Sequence, residues 1–151
     1  MRKLIFLFVL LVCFFNGFSQ NNSNKTQNYG YVGLQKNDPK FLALMDTAQK
    51  YLPRFIDSLS KYKARPTYYF LIKSNFNEKD KNEHMWSKPL NYEKGIFTSV
   101  FIDSAFILKN IKTGDIVKID SKKVEDWIIE KYPNKIILGN FSEPYLKEKE
   151  K

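Results

Sequence analysis

Histidine occurs once in this chain of 151 residues, at His84, and cysteine once, at Cys13. A zinc site takes three or four ligands, so only carboxylates would be left to complete one around His84, and no metal is expected. A Ser-His-Asp centre needs the histidine oriented by an acid and touching a serine. Ser87, Ser99 and Ser104 are present, but none sits in a strand-to-helix elbow. The six glycines form no phosphate-cradling loop, and no cofactor is expected.

What the N-terminus does contain is Arg2 and Lys3 ahead of an unbroken apolar run from Leu4 to Phe15. A membrane-spanning helix needs about 20 apolar residues; this run has the length of a secretory signal core. Gly17 and Ser19 are small residues one apart, which places cleavage after Ser19. Two alternatives share the pattern, a retained anchor and a lipoprotein processed at Cys13. Val12 before that cysteine, with Phe14 and Phe15 after it, departs from the usual lipoprotein arrangement. The expectation is an exported chain, periplasmic or secreted, with residues 1–19 as signal and no transmembrane helix in the mature form.

Cleavage there removes the only cysteine, so no disulfide forms and stability must come from packing. Losing Arg2 and Lys3 from 25 basic residues leaves 23 against 16 acidic ones, a mature charge of +7. Lysines attract phosphates, yet these charges are dispersed and include no arginine cluster or regular aromatic interleaving. The reading is a solvated basic surface without nucleic-acid binding, weakly attracted to anionic envelope components in a salt-sensitive way. Residues 20–37 form a polar spacer too poor in apolar side chains to fold alone. Within it Tyr29, Tyr31, Val32 and Leu34 add some apolar character.

From residue 38 the pattern changes. Asp38 followed by Pro39 is a helix start, a capping carboxylate ahead of a residue suited to the first helical position. Phe41, Leu44, Met45, Ala48, Tyr51, Leu52, Phe55, Ile56 and Leu59 then recur at spacings of three and four, one apolar stripe meant for a core. Pro53 falls inside it, predicting a kink or restart near Leu52. After the charged run Lys61 to Arg65, Tyr68, Phe70 and Ile72 alternate with Tyr69, Leu71 and Lys73, the period of a strand.

Polar Ser74 to Asn82 predicts a long hairpin loop before a second strand from Glu83 to Pro89. Further strands follow over 96–102, 115–119, 124–130 and 135–138, with turns over Asn91 to Gly95, at Thr113 and Gly114, and at Tyr132 to Asn134. A helix starting at Ser121 is the alternative for 124–130; the β-branched pair Ile128 and Ile129 favours a strand. From Ser142 onward, Pro144 and alternating Lys and Glu read as a frayed charged tail, 142–151. The order predicts an α+β fold: one N-terminal helix, kinked, packed on a mainly antiparallel, strongly curved sheet of about five to six strands.

Candidate binding residues come from two tetrapeptides, Glu83-His84-Met85-Trp86 and Val124-Glu125-Asp126-Trp127. Strand parity puts His84 and Trp86 on one face and Glu83 and Met85 on the other, so Glu83 is a poor partner for His84. The simplest roles are structural: His84 as a packing or hydrogen-bonding residue, Trp127 as a core anchor and Asp126 as a turn cap. The functional alternative brings Glu83, His84, Trp86, Asp126 and Trp127 to one groove that binds a protein or small molecule.

These motifs, together with Lys73, Gly95 and Phe97, Gly114 and Gly139, resemble those of the YegJ-like family of bacterial proteins, a domain of unknown function (DUF2314). The resemblance covers about Asp38 to Gly139. It implies an α+β domain over 38–141 and no established reaction. Ser99 stands where the family tends to have glycine, Asp103 to Ala105 lacks its proline, and Asn140 to Ser142 lacks a basic residue often found there. The function expected is a non-enzymatic binding domain, with no catalytic residue assigned. The alternatives are a hydrolase using His84 with Glu83 or Asp126, and an envelope structural or stress-associated protein.

Overall fold

The computed structural model describes residues 37–133 and 135–149. The expected signal with Cys13, and all but the last residue of the spacer, lie outside the described residues. Helix α1 spans Pro39–Tyr62, capped by Asp38, whose Oδ1 accepts from the N–H groups of Lys40 and Phe41 at 3.0 Å each. Phe41, Ala48, Leu52, Phe55 and Leu59 are its buried positions, the centre of the stripe. Pro53 lies inside this one uninterrupted helix. It withholds a backbone donor from the turn before it, yet burial of Leu52 and Phe55 on either side carries the helix through without a restart.

Six strands follow: β1 Tyr68–Glu78, β2 Lys81–Glu93, β3 Ile96–Phe101, β4 Ile116–Asp120, β5 Val124–Lys131 and β6 Lys135–Gly139. They form one open antiparallel sheet in the order β4-β3-β2-β1-β5-β6. Three sequence expectations are corrected. The turn expected over Asn91 to Gly95 is confined to Lys94 and Gly95, because β2 runs on to Glu93. The polar stretch Ser74 to Asn82 is mostly strand, because Asn77 pairs with Asn82 and Glu78 with Lys81, leaving Lys79 and Asp80 as a two-residue turn. Pro89 does not end β2; it sits beside a register shift before Asn91, and bulges accommodate a residue that cannot donate. Ser121 starts only a single turn of 3-10 helix, Ser121–Lys123, and the strand preferred over 124–130 is found as β5.

The core lies between α1 and one set of alternating strand positions: Phe70 and Ile72 of β1, Phe97 of β3, Ile119 of β4, and Trp127 and Ile129 of β5. Phe55 meets the rings of Phe70, Phe97 and Trp127 at centroid distances of 5.7, 6.1 and 5.4 Å. The indole of Trp127 donates to the Ala48 carbonyl at 2.8 Å, satisfying its one polar atom inside the core. Gln49 ties the same helix to the carbonyls of Ser121 and Val124. Gly139 ends β6 where an added Cβ would lie 2.0 Å from the Trp127 carbonyl oxygen, so no larger residue fits.

The frayed tail expected from Ser142 is also corrected. Glu143–Lys149 form a second helix, α2, with Tyr145 and Leu146 buried. These two pack with Phe41 and the half-buried Leu44 and Met45 in a small cluster separate from the main core. The alternating Lys and Glu stay on the outside, and this explains why the composition reads as a tail.

Candidate functional site

Residues facing each other across an antiparallel pair share a face. Trp86 faces Lys73, and Lys73 faces Asp126, so these three form one row over β2, β1 and β5. The row alternates with the core positions Ile72 and Trp127. A register shift then breaks the β1–β5 ladder: Lys73 faces Asp126 while Ser74 faces Val124, leaving Glu125 as the extra residue. Bulges re-aim side chains, and Glu125 reaches His84, with its Oε2 2.6 Å from His84 Nδ1. Phe41 meets the His84 ring edge-on at 5.7 Å. The imidazole keeps 32% of its side chain exposed, whereas Glu125 keeps 9%.

Lys73 is buried within the same row, and Glu143 at the start of α2 neutralises it. Glu143 Oε1 accepts from Lys73 Nζ at 2.9 Å and from Trp86 Nε1 at 3.3 Å. The ammonium also lies 5.3 Å from the centre of the Trp86 ring, where the π-face adds to its stabilisation. Fully buried Asp126 binds the segment just before α2. Its Oδ1 accepts from the N–H groups of Trp127 and Phe141, and its Oδ2 from Ser142 N at 2.7 Å and Ser142 Oγ at 2.6 Å.

At its far side α2 is fastened to the start of α1. The Tyr145 hydroxyl donates to Asp38 Oδ2 at 2.6 Å, Lys149 lies 3.7 Å from the same oxygen, and Lys40 pairs with Glu148 at 3.6 Å. The Tyr145 hydrogen bond is the main reason the Asp38 carboxyl titrates below its ordinary value, the Phe41 N–H coming next. Lys149 is held above its ordinary value by Tyr145 first and Asp38 second.

The five candidate residues are thus placed differently. His84 and Trp86 share a face of β2, as parity predicts, and Asp126 lies in the row with Trp86. Asp126 is spent on the C-terminal segment, and Trp127 is in the main core. Glu83 holds the loop between β3 and β4, accepting from the N–H groups of Phe106 and Ile107 at 2.8 Å and of Leu108 at 3.3 Å. The acid that orients His84 is Glu125, so neither Glu83 nor Asp126 has the partner role weighed from sequence. Lys73, Glu125 and Glu143 were missed. Lys73 carried a usable signal, a charge in the middle of an otherwise apolar strand, and buried lysines are paired.

Among the described residues no three His, Cys, Asp or Glu side chains group closely enough to hold a metal. Two surface clefts, of about 370 and about 310 Å3, lie elsewhere, one between Phe76, Phe101 and Ile116 and the other between Pro66, Tyr69 and Tyr132. No helix among the described residues is long and apolar enough to cross a membrane.

The fold and row together define a small α+β domain, a six-stranded antiparallel sheet with one long helix over its core and a polar row clasped by a C-terminal helix. Residues 38–149 match the model of a family described as uncharacterized proteins conserved in bacteria (DUF2314), and the chain belongs to that family. It is 25% identical over 146 residues to the uncharacterized protein YegJ of Escherichia coli (strain K12), covering 97% of this chain and 89% of that one. No solved structure matches the chain significantly.

Proposed function

We propose that this protein is an exported, non-enzymatic binding domain whose recognition surface is the polar row around His84 and Trp86. The observation that carries this reading is the partly exposed imidazole: Glu125 fixes it through Nδ1, Phe41 supports its ring, and it stands beside the Lys73–Trp86–Glu143 group. A fixed, partly exposed polar group among aromatics suits recognition. Export is supported by the apolar run and the small residues at Gly17 and Ser19. The dispersed basic charge supports a weak, salt-sensitive attraction to anionic envelope components, and salt-independent envelope association would argue against it.

The test uses His84→Gln, which leaves Glu125 an amide donor. The variant should keep its melting temperature within about 3 °C, and should lose an envelope partner that crosslinks to wild type. Unchanged crosslinking, or no partner at all, would contradict the reading. A second reading, a hydrolase with His84 as base oriented by Glu125, is favoured by the 2.6 Å contact alone. Turnover of an ester or amide substrate by wild type and its loss in His84→Gln would establish it.

A further inference from the structure

The chain's own C-terminal segment shows what the polar row can hold. Three recognition elements act on five consecutive residues. Asp126 takes the backbone N–H and hydroxyl of Ser142; Lys73 and Trp86 take the carboxylate of Glu143; and Phe41, Leu44 and Met45 receive Tyr145 and Leu146. Pro144 between them donates no backbone hydrogen bond. Each element has its own chemistry, so the order hydroxyl, acid, spacer, aromatic, aliphatic amounts to a specificity.

We infer that this row is a docking groove for a carboxylate-bearing peptide segment of a partner protein, and that residues 142–149 are its built-in, displaceable occupant. The inference rests on the proposed binding function and names its ligand class. Several observations make displacement reasonable. The segment's apolar cluster is separate from the main core, and the rest of its attachment is hydrogen bonds and ion pairs that a second acidic segment would reproduce. A helix of seven residues has little stability of its own. Glu143 keeps 26% of its side chain exposed, so a competing carboxylate has an approach to Lys73. Phe141, stacked on Tyr51 and edge-on to Trp127, stays with the core and marks where the displaceable part begins.

The experiment titrates a fluorescein-labelled peptide copying residues 141–149 into the full chain, in wild type and in Tyr145→Ala/Leu146→Ala, which loosens the native occupant. Anisotropy should show the variant binding at least about tenfold tighter than wild type, and a peptide carrying Glu143→Gln should lose about tenfold on either protein. Equal binding of the Glu and Gln peptides, or no saturable binding by either protein up to millimolar peptide, overturns the inference. Should the variant fail to fold, wild type alone decides: the Glu peptide must bind saturably and at least about tenfold tighter than the Gln peptide, and equal or absent binding overturns the inference. If the full chain instead dimerises with concentration and never takes up peptide, the groove serves another copy and the external partner is wrong. Peptide binding without any His84-dependent envelope partner would leave the groove standing and remove the wider function; the reverse pattern would remove the groove alone.

Discussion

Two regions of this molecule bury side chains by different means. Beneath α1 the sheet packs Phe55, Phe70, Phe97, Trp127 and Ile129 into one apolar cluster, with the Trp127 indole bonded to the Ala48 carbonyl inside it. Under α2 the buried apolar cluster consists of Phe41, Tyr145 and Leu146, and carboxylates do most of the fastening. Burial of apolar area is non-directional and large in sum, so the first region fixes the fold. Directional ties to carboxylates are individually worth about 1.5–3 kcal/mol, but another acidic segment can supply the same partners. The second region is therefore the part the molecule can rearrange while staying folded.

The largest effect should come from breaking the first region. Trp127→Ala removes the core indole and its hydrogen bond to the Ala48 carbonyl, costing about 3–5 kcal/mol and lowering Tm by roughly 10–20 °C in a calorimetric scan. Asp126→Ala should come next, at about 2–3 kcal/mol, because the buried Ser142 N–H and hydroxyl lose their acceptor. Its signature sharpens the comparison: α2 should loosen while the core keeps its near-ultraviolet circular dichroism. Glu143→Gln keeps the volume and removes the charge opposite Lys73. It should cost about 1 kcal/mol, given the partial exposure of the pair, and be visible as a red shift in Trp86 emission.

The smallest effect is that of pH on the outer fastening of α2. Asp38 is depressed in the folded state, so its contribution is fully present above its ordinary value of 3.8 and is lost as pH falls through the folded value. Lys149 is raised, so its contribution is full below its ordinary value of 10.5 and is lost as pH rises through the folded value. Stability of α2, followed by amide exchange corrected for intrinsic rate, should be flat with respect to this fastening between about pH 5 and 9. It should decline in acid below that window.

Helix α1 and the alternating strand β1 are legible in the sequence, because apolar spacing reports the face turned to a single nearby core. The same logic separates Glu83 from His84 correctly. It fails where partners are remote or the ladder is irregular. Tyr145 and Leu146 look like fragments of a charged tail until Phe41 and Asp38 are placed beside them, and the Tyr145–Asp38 bond spans 107 positions. Glu125 could not be assigned to His84 because a bulge, which leaves no mark on residue spacing, aims it there. Asn75 and Asn77 suggest a turn, yet pairing with His84 and Asn82 keeps them in a strand.

The division into a fixed core and an exchangeable C-terminal segment is tested most directly by native-state amide hydrogen exchange on the unmodified chain. The Leu146 N–H, bonded to the Ser142 carbonyl, should exchange through local opening at least about a hundredfold faster than the N–H groups of Ile72 and Ile129 in the central strands. Protection of Leu146 equal to that of the central strands would mean that α2 opens only when the whole domain unfolds, and would contradict the account.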